Sequence, residues 1–160
     1  MNEQSLSLPV QFATLASSIA AVVSIWIAVR IYRRQMNAQL FLAFTERYEN
    51  IMGSFPPEAR RYRFDPVAEP PAASPELTLV VLRYLNLCSE EYYLRKTGHL
   101  DKDLWDIWEA ELKRTVSSSL VAREWKELRT EFVSYPEFRD FVERSQREAH
   151  EVKSRLQLGK

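Results

Sequence analysis

Two acidic pairs, Glu90–Glu91 and Glu109–Glu111, and one thiol, Cys88, have the side-chain chemistry that catalysis would need. General acid–base work requires two carboxylates held at one site with their pKa values pushed apart. On a helix, adjacent and i, i+2 positions point away from each other, so neither pair is expected to share a site. Solvated helix faces are the expectation for both. Cys88 closes the run LTLVVLRYLNLC, residues 77–88, where a thiol behaves as a small inert hydrophobe. A nucleophilic role would require His99 beside it together with an oxyanion site, and the sequence offers no sign of either. His99 and His150 stand far apart without ligand-spaced cysteines or histidines, so a zinc site is not expected. The three glycines, at 53, 98 and 159, cannot build a phosphate-cradling loop. Trp105, Trp108 and Trp125 fit core anchors better than a haem or ligand pocket. The sequence therefore predicts no catalytic, cofactor-binding or metal-ligating residue and no cofactor.

The element that dominates the chain carries no charge. From Gln4 to Val29 there is no ionisable side chain, and Arg30, Arg33 and Arg34 close the run. A hydrocarbon layer of about 30 Å needs roughly 20 mainly apolar helical residues, and Val10 to Val29 supplies them. A lone span must be helical, because lipid cannot satisfy open backbone groups. Gln11, Thr14, Ser17, Ser18 and Ser24 interrupt the apolar run; their hydroxyls are expected to bond back to carbonyls one turn earlier. A cleaved signal peptide would carry its basic residues before the apolar segment, whereas here they follow it. An uncleaved anchor is the expectation, with a buried core helix as the alternative. Arg30, Arg33 and Arg34 predict an outward N-terminus and a cytoplasmic body, with Trp26 and Tyr32 at the inner headgroup level. That places the protein in a bacterial inner membrane as a single-pass chain. Ala13, Ser17, Ala20, Ala21, Ser24 and Ala28 recur at helical spacing and form small-xxx-small faces suited to self-association or to plain lipid contact.

Beyond the span, charge is nearly balanced: 22 basic residues stand against 21 of the chain's 22 acidic ones. Such balance argues against nucleic acid as a partner. One cysteine permits no intramolecular disulfide, in keeping with a reducing cytoplasm. Met36, Leu40, Phe44, Tyr48 and Ile51, with Phe41 alongside, continue a helical stripe without a Gly or Pro before Gly53. Anchor and stalk together predict one helix of about 45 residues, roughly 65 Å long. Gly53 is expected to take the left-handed cap, and Pro56 and Pro57 to stop the helix. Residues 53–74 read as a Pro-rich linker carrying Arg60, Arg61 and Arg63, expected to solvate a loop or pair with the domain, with contact to anionic headgroups as the alternative. Ser74 with Pro75 opens a helix that ends at Gly98. Asp101 caps the next, with Leu104, Trp105, Trp108, Leu112 and Val116 on its buried side. Ser117 to Ser119 are expected to loosen the chain before Val121, Trp125, Leu128 and Phe132 mark another helix, and Pro136 opens the last. There Phe138, Val142, Ser145, Ala149, Val152 and Leu156 step by four and three, as either a short coiled-coil seam for a partner or a face docked on the domain itself.

The fold class predicted is all-α: an N-terminal transmembrane helix continuing into a cytoplasmic stalk, then a small helical bundle. Its divisions are 1–34 tail and anchor, 35–52 stalk, 53–74 linker and 75–160 helical domain. Several elements resemble uncharacterised bacterial single-pass membrane proteins of the DUF4760 type: Gly98-His99-Leu100-Asp101, Trp105 with Trp108, Trp125 to Arg129, and Pro136-Glu137-Phe138. The resemblance implies an anchor, a stalk and a helical domain, and carries over no catalytic residue. The expected role is a membrane-anchored interaction, scaffold or accessory subunit, partnered by the bilayer and by itself or another protein. A pore-forming effector lined by Gln11, Thr14, Ser17 and Ser24 is the alternative. An enzyme with an unrecognised site is the third, and would reveal itself by perturbed carboxylates or a thiol converging in a cleft.

Overall fold

Unbroken helix-forming sequence and sharp local stop signals set the element boundaries. The computed structural model describes the backbone of residues 3–60, 62, 65 and 68–158, and the side chains of all of these except 3–8 and 156–158. It contains α1 (Glu3–Ser54), α2 (Pro57–Arg60), α3 (Pro75–Lys96), α4 (Lys102–Val116), α5 (Ser119–Leu128), a 3-10 helix (Arg129–Phe132) and α6 (Pro136–Leu158). No strand occurs among the described residues, so the chain is all-α. Two compact units divide it, Met1–Leu42 and Ala43–Lys160.

Among its described residues the first unit consists of the part of α1 up to Leu42. Every side chain described from residue 9 to residue 35 is exposed. Its Ser and Thr hydroxyls among the described side chains are satisfied within the helix: Thr14 donates to the Val10 carbonyl at 2.8 Å, Ser17 to Ala13 at 2.8 Å, Ser18 to Thr14 at 2.9 Å and Ser24 to Ala20 at 2.8 Å. The back-bonding expected from the sequence is present and hides the polarity of these residues.

The second unit begins inside α1. Its core takes Met52 from α1, Phe55 and Ala59 around α2, and Leu77, Val81, Tyr84, Leu85 and Cys88 from α3. Leu112 and Val116 of α4, Leu120, Val121 and Trp125 of α5, Phe132, and Phe138, Phe141 and Val142 of α6 complete it. Helix α6 packs against α4 and the 3-10 helix, while α3 packs against both α4 and α5. At one end the rings interlock. Phe138 has Phe132 at 5.5 Å, Tyr92 at 6.0 Å and Trp125 at 6.3 Å, and Tyr92 also meets Phe141 at 5.3 Å. Large buried rings supply most of the apolar area that a small unit can bury.

The local stop signals are mostly where the sequence puts them. Ser74 accepts from the Leu77 N–H at 3.2 Å, and Asp101 from the Asp103 N–H at 3.0 Å. Gly98, at φ +75°, ends α3 in the left-handed conformation. Nothing lies within 4 Å of where its Cβ would stand, so Gly98→Ala meets only backbone strain. It is expected to cost about 1 kcal/mol, read as a lowered Tm.

Three local expectations need correcting. Gly53 does not adopt the left-handed cap; it lies within α1, which runs to Ser54. The helix end is satisfied instead by Arg60, which donates to the carbonyls of Gly53 at 2.8 Å and Phe55 at 3.1 Å. A cation at a helix C-terminus also favours the helix dipole. Second, the linker is not free of helix, because Pro57 starts the single turn α2 around the fully buried Ala59. Third, Ser118 does not loosen the chain but caps α5, accepting from the Val121 N–H at 3.3 Å. Arg61 and Arg63 lie outside the described residues. Further along, the linker is tied down: Arg123 donates to the Pro71 carbonyl, and Ser119 to that of Ala68.

Candidate functional site

The residues singled out from the sequence fall in three places. Ala13, Ser17, Ala20, Ala21, Ser24 and Ala28 all lie on α1 and are exposed. Trp26, Arg30, Tyr32, Arg33 and Arg34 follow on the same helix, also exposed, with the Arg30 guanidinium 5.5 Å from the Trp26 ring centre.

The stepped face of α6 divides. Phe138 and Val142 are buried in the unit's own core, as is Ser145, whose hydroxyl donates to the Phe141 carbonyl at 2.9 Å. Ser117 in turn donates to the Ser145 carbonyl at 3.0 Å, and Gln146 to that of Val116 at 3.0 Å, fastening α6 to the α4–α5 corner. Those first positions are occupied by the fold itself. Ala149 is half-buried and Val152 exposed, while the Leu156 side chain lies outside the described residues.

The third place was not visible in the sequence as a site. Phe44, Thr45 and Tyr48 of α1, Tyr84 and Glu91 of α3, and Trp108, Glu111, Leu112 and Thr115 of α4 line a cavity of about 280 Å³. All belong to the second unit. Helical geometry separates the members of each sequence-adjacent acidic pair, as expected. Glu90 turns to Arg47 in a two-pronged pair, at 2.5 Å from Nη1 and 2.9 Å from Nη2, and Glu109 pairs with Lys113 at 2.8 Å. What remains is one carboxylate from each pair, Glu91 and Glu111, lining the same space from different helices.

Electrostatics single out Glu91. Burial pushes its carboxyl up from 4.5 to about 8, reinforced by Glu90 and opposed by Arg47. Nearby, burial also raises the Tyr84 phenol and the Cys88 thiol well above their ordinary values, so both stay protonated at neutral pH. Cys88 is thus a closed-in thiol, while Glu91 holds a proton that a cavity occupant could take or displace.

The linkage has a definite sign. With the folded pKa above the unfolded one, the native state keeps its proton between about pH 4.5 and about 8, while the unfolded chain has lost it. Stability contributed by this group therefore falls as pH rises through that window. Glu91→Gln should flatten the fall and raise Tm relative to wild type most at the alkaline end, measured as the difference between parallel melts. An equal difference at all pH values would contradict the assignment.

Compared with protein-family models, curated proteins and solved structures, the chain matches none. Fold and site define its class on their own: an all-α protein with one long apolar N-terminal helix and a helical unit holding an aromatic, acidic cavity.

Proposed function

We propose that this chain is a single-pass membrane protein whose helical unit serves as an interaction, scaffold or accessory module. One observation carries the reading. The apolar part of α1, with mean hydropathy 2.1, is wholly exposed and has the length to cross a bilayer. A core helix of a water-soluble protein would bury such a surface. Arg30, Arg33 and Arg34 support an outward N-terminus and a cytoplasmic helical unit in a bacterial plasma membrane. Kinship with the DUF4760-type proteins is part of the same proposal.

The first association surface is the small-residue face of the anchor. Its hydroxyls are already paired to their own helix carbonyls, so close backbone approach, rather than lining of a water-filled pore, is what this face offers. Cross-linking and sedimentation in detergent test it. Wild-type protein is expected to self-associate, and Ala20→Ile with Ser24→Ile to lower the associated fraction several-fold, with vesicles remaining impermeable throughout. Association unchanged by the double substitution would remove the anchor as its seat, and leaky vesicles would favour a pore.

A further inference from the structure

The cavity of the helical unit has the chemistry of a receptor for a positive charge. Its walls are the rings of Phe44, Tyr48, Tyr84 and Trp108, and its two ionisable carboxylates are Glu91 and Glu111; no Lys, Arg or His is among its lining residues. Ring faces attract cations through their quadrupole, most strongly at Trp and when water is excluded. A basic group beside the cavity is already committed: Arg47 is clasped by both oxygens of Glu90, with its guanidinium 5.4 Å from the Phe44 ring centre. Glu111 is only loosely held by Arg114, at 3.6 Å. Glu91 makes no hydrogen bond or ion pair among the described residues. Its carboxyl keeps a proton to about pH 8, because burial outweighs the opposing field of Arg47. At about 280 Å³ the space falls just under the range of about 300–1,000 Å³ typical of drug-sized ligands, which restricts an occupant to a small head group.

We propose that the cavity between the C-terminal part of α1, α3 and α4 binds a small organic cation. Its ammonium or guanidinium head rests against Trp108, Phe44 and Tyr48 and faces the carboxylates of Glu91 and Glu111. The site goes beyond the anchoring role and does not depend on it. Binding converts Glu91 to its ionised form and releases the proton it held. The groups facing Glu91 are Arg47 and Tyr48 from α1, Tyr84, Cys88 and Glu90 from α3, and Glu111 from α4.

The full chain in detergent micelles is titrated with choline, butylammonium and guanidinium, and with the neutral isostere of choline in which carbon replaces the quaternary nitrogen. The indole N–H signal of Trp108, assigned with Trp108→Phe, is followed by NMR. At least one of the three cations is expected to shift it saturably. The neutral isostere should bind about tenfold more weakly than choline if choline is the ligand. Affinity should rise with pH through about 8, and Glu91→Gln should weaken it about tenfold and flatten that rise. Glu111 is exposed, so Glu111→Gln tests the same charge without disturbing the fold and should also weaken binding. No saturable shift with any of the three cations overturns the proposal. So does saturable choline binding matched by its neutral isostere, or cation affinity indifferent to both carboxylate substitutions.

Discussion

Replacing Ala21 and Val22 with arginine is expected to release the protein from membranes. On the insertion scale each arginine near the middle of a span costs about 2.5–3.5 kcal/mol, so the pair shifts the inserted population by roughly a thousandfold or more. The window they interrupt has mean hydropathy 2.1 and contains no charge of its own. Exposed hydroxyls within it cost little, since Thr14, Ser17, Ser18 and Ser24 are already bonded to carbonyls one turn back. An arginine has no such partner on the helix. The measurement is carbonate extraction followed by fractionation, with leucine at the same two positions as the control that stays in the pellet. Intact mass of the wild-type chain decides a separate point. A cleaved signal sequence would leave a shortened protein, whereas an anchor retains the segment. Wild-type protein found shortened, or the arginine pair remaining in the pellet, would sink the anchor reading.

What could be read in advance was local. A run without charge, its arginine border and its length are properties of consecutive residues, and so are the caps at Ser74, Asp101, Gly98 and Pro136. Each depends on a residue's own backbone conformation or on its contact with neighbours within about a turn. The misses came from partners farther away. Gly53 looked like a cap because Pro56 and Pro57 follow it; nothing in that stretch announced that Arg60 would fold back onto the Gly53 and Phe55 carbonyls. The stripe Phe44, Tyr48 and Ile51 was visible as periodic, yet periodicity does not say what it covers. Phe44 is buried 5.5 Å from Trp108, and Tyr48 lies 6.4 Å from Tyr84.

The cavity was the hardest feature to foresee, for the same reason. Helix geometry makes Glu90 diverge from Glu91, and Glu109 from Glu111. That divergence leaves Glu91 and Glu111 lining one space from different helices. Pairing of that kind is set by how α3 and α4 pack, and no spacing rule within one helix encodes it. The one usable hint was compositional: α3 turns from apolar to acidic at Glu90 while Trp108 stands on a helix that is acidic on both sides of it.

Phe138→Ala is expected to remove a large part of the stability of the helical unit, whereas Val152→Ala on the same helix should change it by no more than about 0.5 kcal/mol. The two residues belong to one stepped pattern on α6, so only packing separates them. Phe138 is 1 % exposed and sits among Tyr92, Trp125 and Phe132, while Val152 is 57 % exposed. Truncating a buried Phe costs about 3–5 kcal/mol in lost transfer energy and residual cavity. A unit of this size holds roughly 5–15 kcal/mol in all, so the first change takes a third or more of it in most of that range. Phe132 and Trp125 contact each other at 5.5 Å as well as Phe138, which limits how far they can collapse into the space. Phe138→Leu, keeping most of the volume, should recover much of the loss. Urea unfolding followed by Trp fluorescence in detergent gives the three values. Equal, small effects of Phe138→Ala and Val152→Ala would mean that the α6 face is open along its length and free to meet a partner. The expected inequality instead confines any partner of α6 to the stretch around Ala149 and Val152, beyond the point where Ser145 and Gln146 fasten the helix down.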